Sequence, residues 1–251
     1  MAGHSKWKQI KRAKGVADVK RGALFTKLGR EIAMAVKQGG GPDPAGNSRL
    51  RLAIQKARDN NMALDIIDRA ITKASGAGED NQLDEVVYEG YGPGGTAVMV
   101  ETLTNNRNRT VAEVRNAFGR AGGNLGETGS VGWIFNLRGV VSIEVPPGKD
   151  ADEIALAAID AGAEDFEVEE DLLSIYTKPE DLEAVRETLE EQGIHPSSSE
   201  VARIPATTVS LEEKEAVSAL RLLEKLEDLE DVQRVYSNAD FPDSVLAEFT
   251  A

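Results

Sequence analysis

Between Met1 and Arg30 the chain carries nine lysines or arginines and a single acid, Asp18, with Trp7 set among Lys6, Lys8, Lys11, Arg12 and Lys14. Such groups make and break no bonds. Their chemistry is electrostatic: they neutralise successive phosphates and release condensed counterions, and an interleaved aromatic adds one stacking or docking contact. Lys20, Arg21, Lys27, Arg30 and Lys37 extend the series. The competing reading is a solvated basic arm anchored by Trp7, and for Trp7 both readings stand. A second anion-attracting point is expected at Asn106, Arg107 and Arg109, at the start of a helix where unbonded amides add to the guanidinium charge. There too a plainer reading stands beside it, with Asn105 or Asn106 capping the helix and the arginines pairing with carboxylates.

Other chemistries lack their residues. Only His4 and His195 occur and there is no cysteine, which leaves no histidine-based metal cluster, thiolate site or cysteine nucleophile. No G-x-S-x-G, H-E-x-x-H or Walker pattern is present, and acid runs such as Glu167, Glu169, Glu170 and Asp171 read as solvated faces. The sequence therefore predicts a non-enzyme without cofactor or metal. Gly90-Tyr91-Gly92-Pro93-Gly94-Gly95 contains G-x-G-x-x-G, but a strand rather than a helix follows, and Pro93 deletes an amide donor. A tight loop between two strands is the expected structure, with Tyr91 an exposed contact candidate.

The elements that must position these groups follow from periodicity. From Asp18 to Gln38, Leu24, Leu28, Ile32 and Ala35 recur at helical spacing. At about 100° per residue, Lys20, Lys27, Arg30 and Lys37 form one stripe opposite Phe25, Leu28, Ile32 and Val36. Gly39-Gly40-Gly41-Pro42 ends that helix. Asp43-Pro44 is expected to cap the next, and a third begins near Asn61. Residues 1–75 read as a basic helical domain. After a linker, strands are expected near 84–90, 95–103 and 130–135, with a helix near 108–121. Residues 138–205 then give strand, helix, strand, strand, helix, strand, the ferredoxin-like order. A strand near Thr207, a helix from Leu211 to about Leu229 and a strand over 232–237 complete a second βαββαβ set with the segments before 136. The predicted fold is multidomain α and α+β: a helical domain (1–75), an α+β domain (82–136 plus 206–246), and a second ferredoxin-like domain (138–205) inserted in it. Three domains in simple succession is the alternative.

The whole chain has a net charge of −14, an average that hides two opposed halves. Residues 1–74 hold 16 Lys+Arg against 6 Asp+Glu, net +10; subtraction from 29 and 43 leaves 13 against 37, net −24, for the rest. Affinity for a polyanion follows local charge, so the basic end can bind while the acidic domains point away. No apolar run approaches a membrane span of about 18 residues, and a cytoplasmic location without membrane contact is expected.

Particular residues resemble the YebC/PmpR family. They are Gly3-His4-Ser5-Lys6-Trp7, Lys20-Arg21-Gly22, Phe25-Thr26-Lys27-Leu28, Arg30-Glu31-Ile32, Asn47 with Arg49-Leu50-Arg51, Asn61-Met62, Arg69-Ala70-Ile71, Tyr88 through Pro93, and Asn106 through Thr110. Ala63 stands where the family often has proline. The resemblance implies three domains with the third inserted in the second, and a bacterial cytosolic protein labelled a probable DNA-binding transcriptional regulator. It equally implies a link to translation, because the family includes a mitochondrial translational activator of cytochrome c oxidase and ribosome-connected bacterial members. The expected partner is thus nucleic acid: duplex DNA in transcription regulation, or ribosomal RNA in translation regulation. An enzyme with an acidic cleft between the α+β domains is the distant third option.

Overall fold

The computed structural model describes residues 18–76, 83–146, 148–169 and 171–250. Three helices open it: α1 (Asp18–Gln38), α2 (Ser48–Asp59) and α3 (Leu64–Ser75). They close on Leu28, Ile32, Val36, Leu50, Ala57 and Ile67. The join between α1 and α2 depends on one buried side chain. Asn47 Oδ1 accepts from the Leu50 amide at 2.9 Å, while Nδ2 donates to the Ala35 and Gly41 carbonyls at 2.8 Å each. One residue thereby caps the start of α2 and the end of α1. The cap expected at Asp43 is displaced to Asn47, because Asn47 gains two tertiary bonds while Asp43 accepts only the Ala45 amide of its own turn.

Two four-stranded antiparallel sheets make up the rest. The first has the order β3-β1-β2-β9, from β1 (Asp84–Tyr91), β2 (Ala97–Thr104), β3 (Asn124–Leu125) and β9 (Val232–Ser237). The helices α4 (Arg107–Arg120), α7 (Glu213–Glu227) and α8 (Asp243–Thr250) accompany it, and the core contains Val98, Val100, Phe118, Leu220, Leu223 and Val235. The second sheet is built from chain lying between β3 and β9 and has the order β5-β6-β4-β7. Its strands are β4 (Phe135–Glu144), β5 (Asp165–Glu169), β6 (Leu172–Thr177) and β7 (Ser198–Pro205). α5 (Ala151–Asp160) and α6 (Leu182–Glu191) cover one face over Val141, Ile143, Leu173 and Ile175. This is the ferredoxin-like arrangement that the sequence order predicts.

The first sheet departs from expectation in detail. Residues 132–134 form a short 3-10 turn, and Phe135 already pairs with Pro205 in the second sheet, so no separate strand near 130–135 joins the first. The segment near Thr207 becomes β8 (Val209–Ser210), which pairs with β10 (Ala239–Asp240) outside both sheets. The vacated position between β2 and β3 is filled by β1. Hairpin pairing is local and closes through the Pro93–Gly95 turn, where Gly94 has φ +66°. Gly90 admits no side chain, since a Cβ there would meet the Asn124 carbonyl at 2.6 Å and the Phe118 ring at 2.8 Å.

The uncovered faces of the two sheets pack on each other. Ala97, Met99 and Tyr236 meet Val140, Tyr176, Ala202 and Ile204, with Val131, Ile134 and Phe135 joining from the connection. β6 is accordingly buried on both faces.

Candidate nucleic-acid interface

Lys6, Trp7, Lys8, Lys11, Arg12 and Lys14 lie outside the described residues. Lys20 and Arg21 fall on the first turn of α1, and Lys37 is exposed in its last turn. Lys27 and Arg30 do not stand outward. Lys27 Nζ donates to the Glu227 carbonyl at the end of α7, where the helix dipole favours a cation. Arg30 donates to the Glu230 carbonyl at 2.9 Å, to Glu230 Oε1 at 2.6 Å and to Asp231 Oδ1 at 3.0 Å. The cationic stripe of α1 is thus partly a domain contact.

Asp231 is the centre of that contact. Its buried carboxylate also accepts from Arg109 at 2.7 Å, Thr110 Oγ1 at 2.7 Å and Thr104 Oγ1 at 3.2 Å, and its carbonyl accepts the Leu103 amide. Burial pushes the carboxyl up, but these hydrogen bonds and the Arg109 charge hold it below the usual aspartate range. Asn106 Oδ1 caps α4 by accepting the Arg109 amide at 3.1 Å, and Arg107 pairs with Asp84 at 2.7 Å. Asn106, Arg107 and Arg109, expected to attract an anion, are therefore each occupied within the protein.

The remaining helical-domain cations are largely spent in the same way. Arg51 grips Glu183 of α6 with both ends of its guanidinium at 3.0 and 3.1 Å, Arg49 pairs with Glu85 of β1, and Lys56 pairs with Glu31 at 2.9 Å. Glu31 also accepts from Arg234 of β9 at 3.0 Å; burial raises its carboxyl, and Lys56 with Arg234 more than reverses that. A cleft of about 770 Å³ opens where the three units meet, lined by Glu31, Arg49, Lys56, Glu101, Arg203 and Arg234 among others. Its charges are shared among several partners. Arg203 meets Glu101 at 2.9 Å, Arg49 meets Glu85, and Arg234 lies between Glu31 at 3.0 Å and Glu200 at 3.8 Å, so no surplus cation among these described residues faces the space. Arg58 and Lys73 stay exposed with no carboxylate partner among the described residues.

At the other end of the first sheet lies Tyr91, the contact candidate of the sequence, with a neighbour that the sequence did not single out, Trp133. Glu89, buried on β1, accepts the amides of Gly129, Val131 and Gly132 at 2.8, 2.8 and 2.6 Å. Burial raises this carboxyl and the three amides lower it below its ordinary value. They fix a loop that presents Trp133, 76% exposed, beside Tyr91, 41% exposed. The Tyr91 hydroxyl and the Trp133 indole N–H both donate to the Ser130 carbonyl, at 2.9 and 3.2 Å. Their polar tips are tied and their rings remain in water. The signal available in the sequence was a tryptophan after the turn-rich run Gly126-Glu127-Thr128-Gly129-Ser130, which reads more naturally as a loop than as a strand.

Residues 5–77 match the family model described as the TACO1/YebC protein N-terminal domain, and residues 83–239 match that of the TACO1/YebC second and third domain. A probable transcriptional regulatory protein of Dehalococcoides mccartyi is 55% identical over 249 residues, covering 99% of this chain and 98% of that protein. A protein of the same description from Methylococcus capsulatus is also 55% identical over 249 residues, covering 99% of each. The crystal structure of a conserved hypothetical protein from Aquifex aeolicus superposes with a TM-score of 0.82 at 44% identity, covering 90% of this chain and 92% of that one.

Proposed function

Because the chain belongs to the TACO1/YebC family, we propose that it is a non-enzymatic regulator of gene expression that acts by binding nucleic acid. The observation that carries this reading is the excess of nine cations over one acid in the first 30 residues, on a chain whose later domains are strongly acidic. Most cations from Lys27 to Lys56 are engaged within the protein. The phosphate-binding surface is then assigned to Lys6, Lys8, Lys11, Arg12, Lys14, Lys20 and Arg21, together with the exposed Arg58 and Lys73. Such contacts position a backbone without reading its sequence. The relatives' description as probable transcriptional regulatory proteins supports the regulatory role.

A specific observation favours RNA over duplex DNA as the target. Trp133 and Tyr91 offer rigid exposed rings suited to unpaired bases, which loops and ends of RNA supply and intact duplex does not. Crosslinking in cells followed by sequencing of the bound nucleic acid tests both points. RNA in the recovered fraction supports the RNA reading, DNA without RNA overturns it, and recovery of no nucleic acid overturns nucleic-acid binding itself.

A further inference from the structure

The second sheet has one closed margin and one open one. At β7 the margin is covered: α2 and β9 pack along it, and Arg234 donates to the Val201 carbonyl. At the other margin β5 bonds only to β6 among the described strands. Phe166 and Val168 lie opposite Ile175 and Leu173, hence on the face that the helices cover, yet they are 37% and 42% exposed. α5 runs along β5 and adds Leu156 and Ile159, one turn apart, at 62% and 37% exposed. Four exposed apolar side chains therefore stand on the edge strand and on the helix packed against it.

The surroundings select what can cover them. Residues 150–177 contain ten aspartates or glutamates and no lysine or arginine. An acidic surface repels nucleic acid, and a second copy of this edge would set like charge against like charge, which deters self-pairing. The Phe166 amide is held at 2.9 Å by Asp165 Oδ1, a carboxylate standing where the carbonyl of an added strand would come. An apolar strand edge ringed by acids fits an extended segment in which apolar residues alternate with lysine or arginine.

We propose that β5 is a docking edge for such a segment of a basic protein. The segment pairs with β5 through its backbone, sets its apolar side chains on Phe166 and Val168 with Ile159 beside them, and directs its cations at the surrounding carboxylates. This edge is independent of the nucleic-acid surface, which is assigned to the basic N-terminal residues.

The test uses the full chain, a short synthetic peptide alternating valine with lysine, and a control alternating valine with glutamate. The lysine peptide is expected to bind saturably, to slow hydrogen exchange at the Phe166 and Val168 amides, and to weaken as salt rises. Val168→Lys at this exposed position is expected to leave the circular dichroism spectrum unchanged and to weaken binding at least about tenfold. The pair Glu164→Lys with Asp165→Lys, which spares the apolar contacts, is expected to weaken it as well. Absence of saturable binding, equal binding of the glutamate peptide, protection mapping elsewhere, or indifference to both variants would each overturn the proposal. So would a dimer in sedimentation that Val168→Lys abolishes, since that assigns the edge to a second copy.

Discussion

Arg30 on α1 and Asp231, immediately before β9, lie 201 residues apart in sequence and 3.0 Å apart in space. Arg109 reaches the same carboxylate at 2.7 Å from α4. A helix rich in cations is thereby bonded to a buried acid that also receives two threonine hydroxyls. Asp231→Ala removes the acceptor that Arg30, Arg109, Thr104 and Thr110 share, while Arg30 keeps its bonds to Glu230. Hydrogen bonds to a charged group contribute about 1.5–3 kcal/mol, and urea unfolding is expected to show a destabilisation of that size. A value below about 1 kcal/mol, the size of an exposed pair, would show that the contact is solvated.

The same site sets a pH dependence. The native Asp231 carboxyl sits below its ordinary value, so in the acid range the unfolded chain binds the proton more readily than the native one. Stability from this group is therefore complete above the ordinary aspartate value of about 3.9 and is lost as pH falls through the lower native value. Glu31 and Glu89 share the sign. In urea titrations below about pH 4, Asp231→Asn is expected to lose less stability than the unchanged protein; parallel curves would contradict the assignment.

Charge reversal separates the cations that hold domains from those assigned to phosphate. Lys27→Glu with Arg30→Glu is expected to lower Tm and speed hydrogen exchange in α1 and β9, since Lys27 terminates on α7 and Arg30 on Asp231 immediately before β9. Lys6→Glu with Lys8→Glu is expected to leave Tm unchanged, weaken nucleic-acid binding and flatten its salt dependence by about 0.7–0.9 logarithmic units for each phosphate no longer neutralised. Unaltered binding after the second change would remove the N-terminal residues from the interface.

Trp133 and Tyr91 give a prediction with opposite readouts. Trp133→Ala is expected to change stability by no more than about 0.5 kcal/mol, as an exposed residue should. Its affinity for single-stranded RNA falls by about 1–3 kcal/mol, the contribution of one stacked base, while binding to duplex DNA is unaffected. Equal weakening on both nucleic acids would place the aromatic pair outside base recognition. Glu89→Gln, which weakens the acceptor of three amides, is expected to broaden the Trp133 fluorescence and produce part of the same RNA defect.

The sequence by itself determined the three helices, the ferredoxin-like order between Val140 and Ile204, and the segregation of charge, because periodicity and composition are local properties that survive any packing. It also placed a turn between two strands in the Gly90–Gly95 run, since an alternating strand follows where a dinucleotide site needs a helix, although Gly90 and Tyr91 themselves belong to β1. Tertiary structure alone decided which cations remain available. Arg30 and Arg109 are ordinary surface arginines until β9 delivers Asp231 between them, and no spacing rule connects positions so far apart. The pairing of β2 with β9, the capping of two helices by Asn47 and the presentation of Trp133 by Glu89 have the same origin. Each depends on a hydrogen bond or strand pairing between segments that only the folded chain brings together.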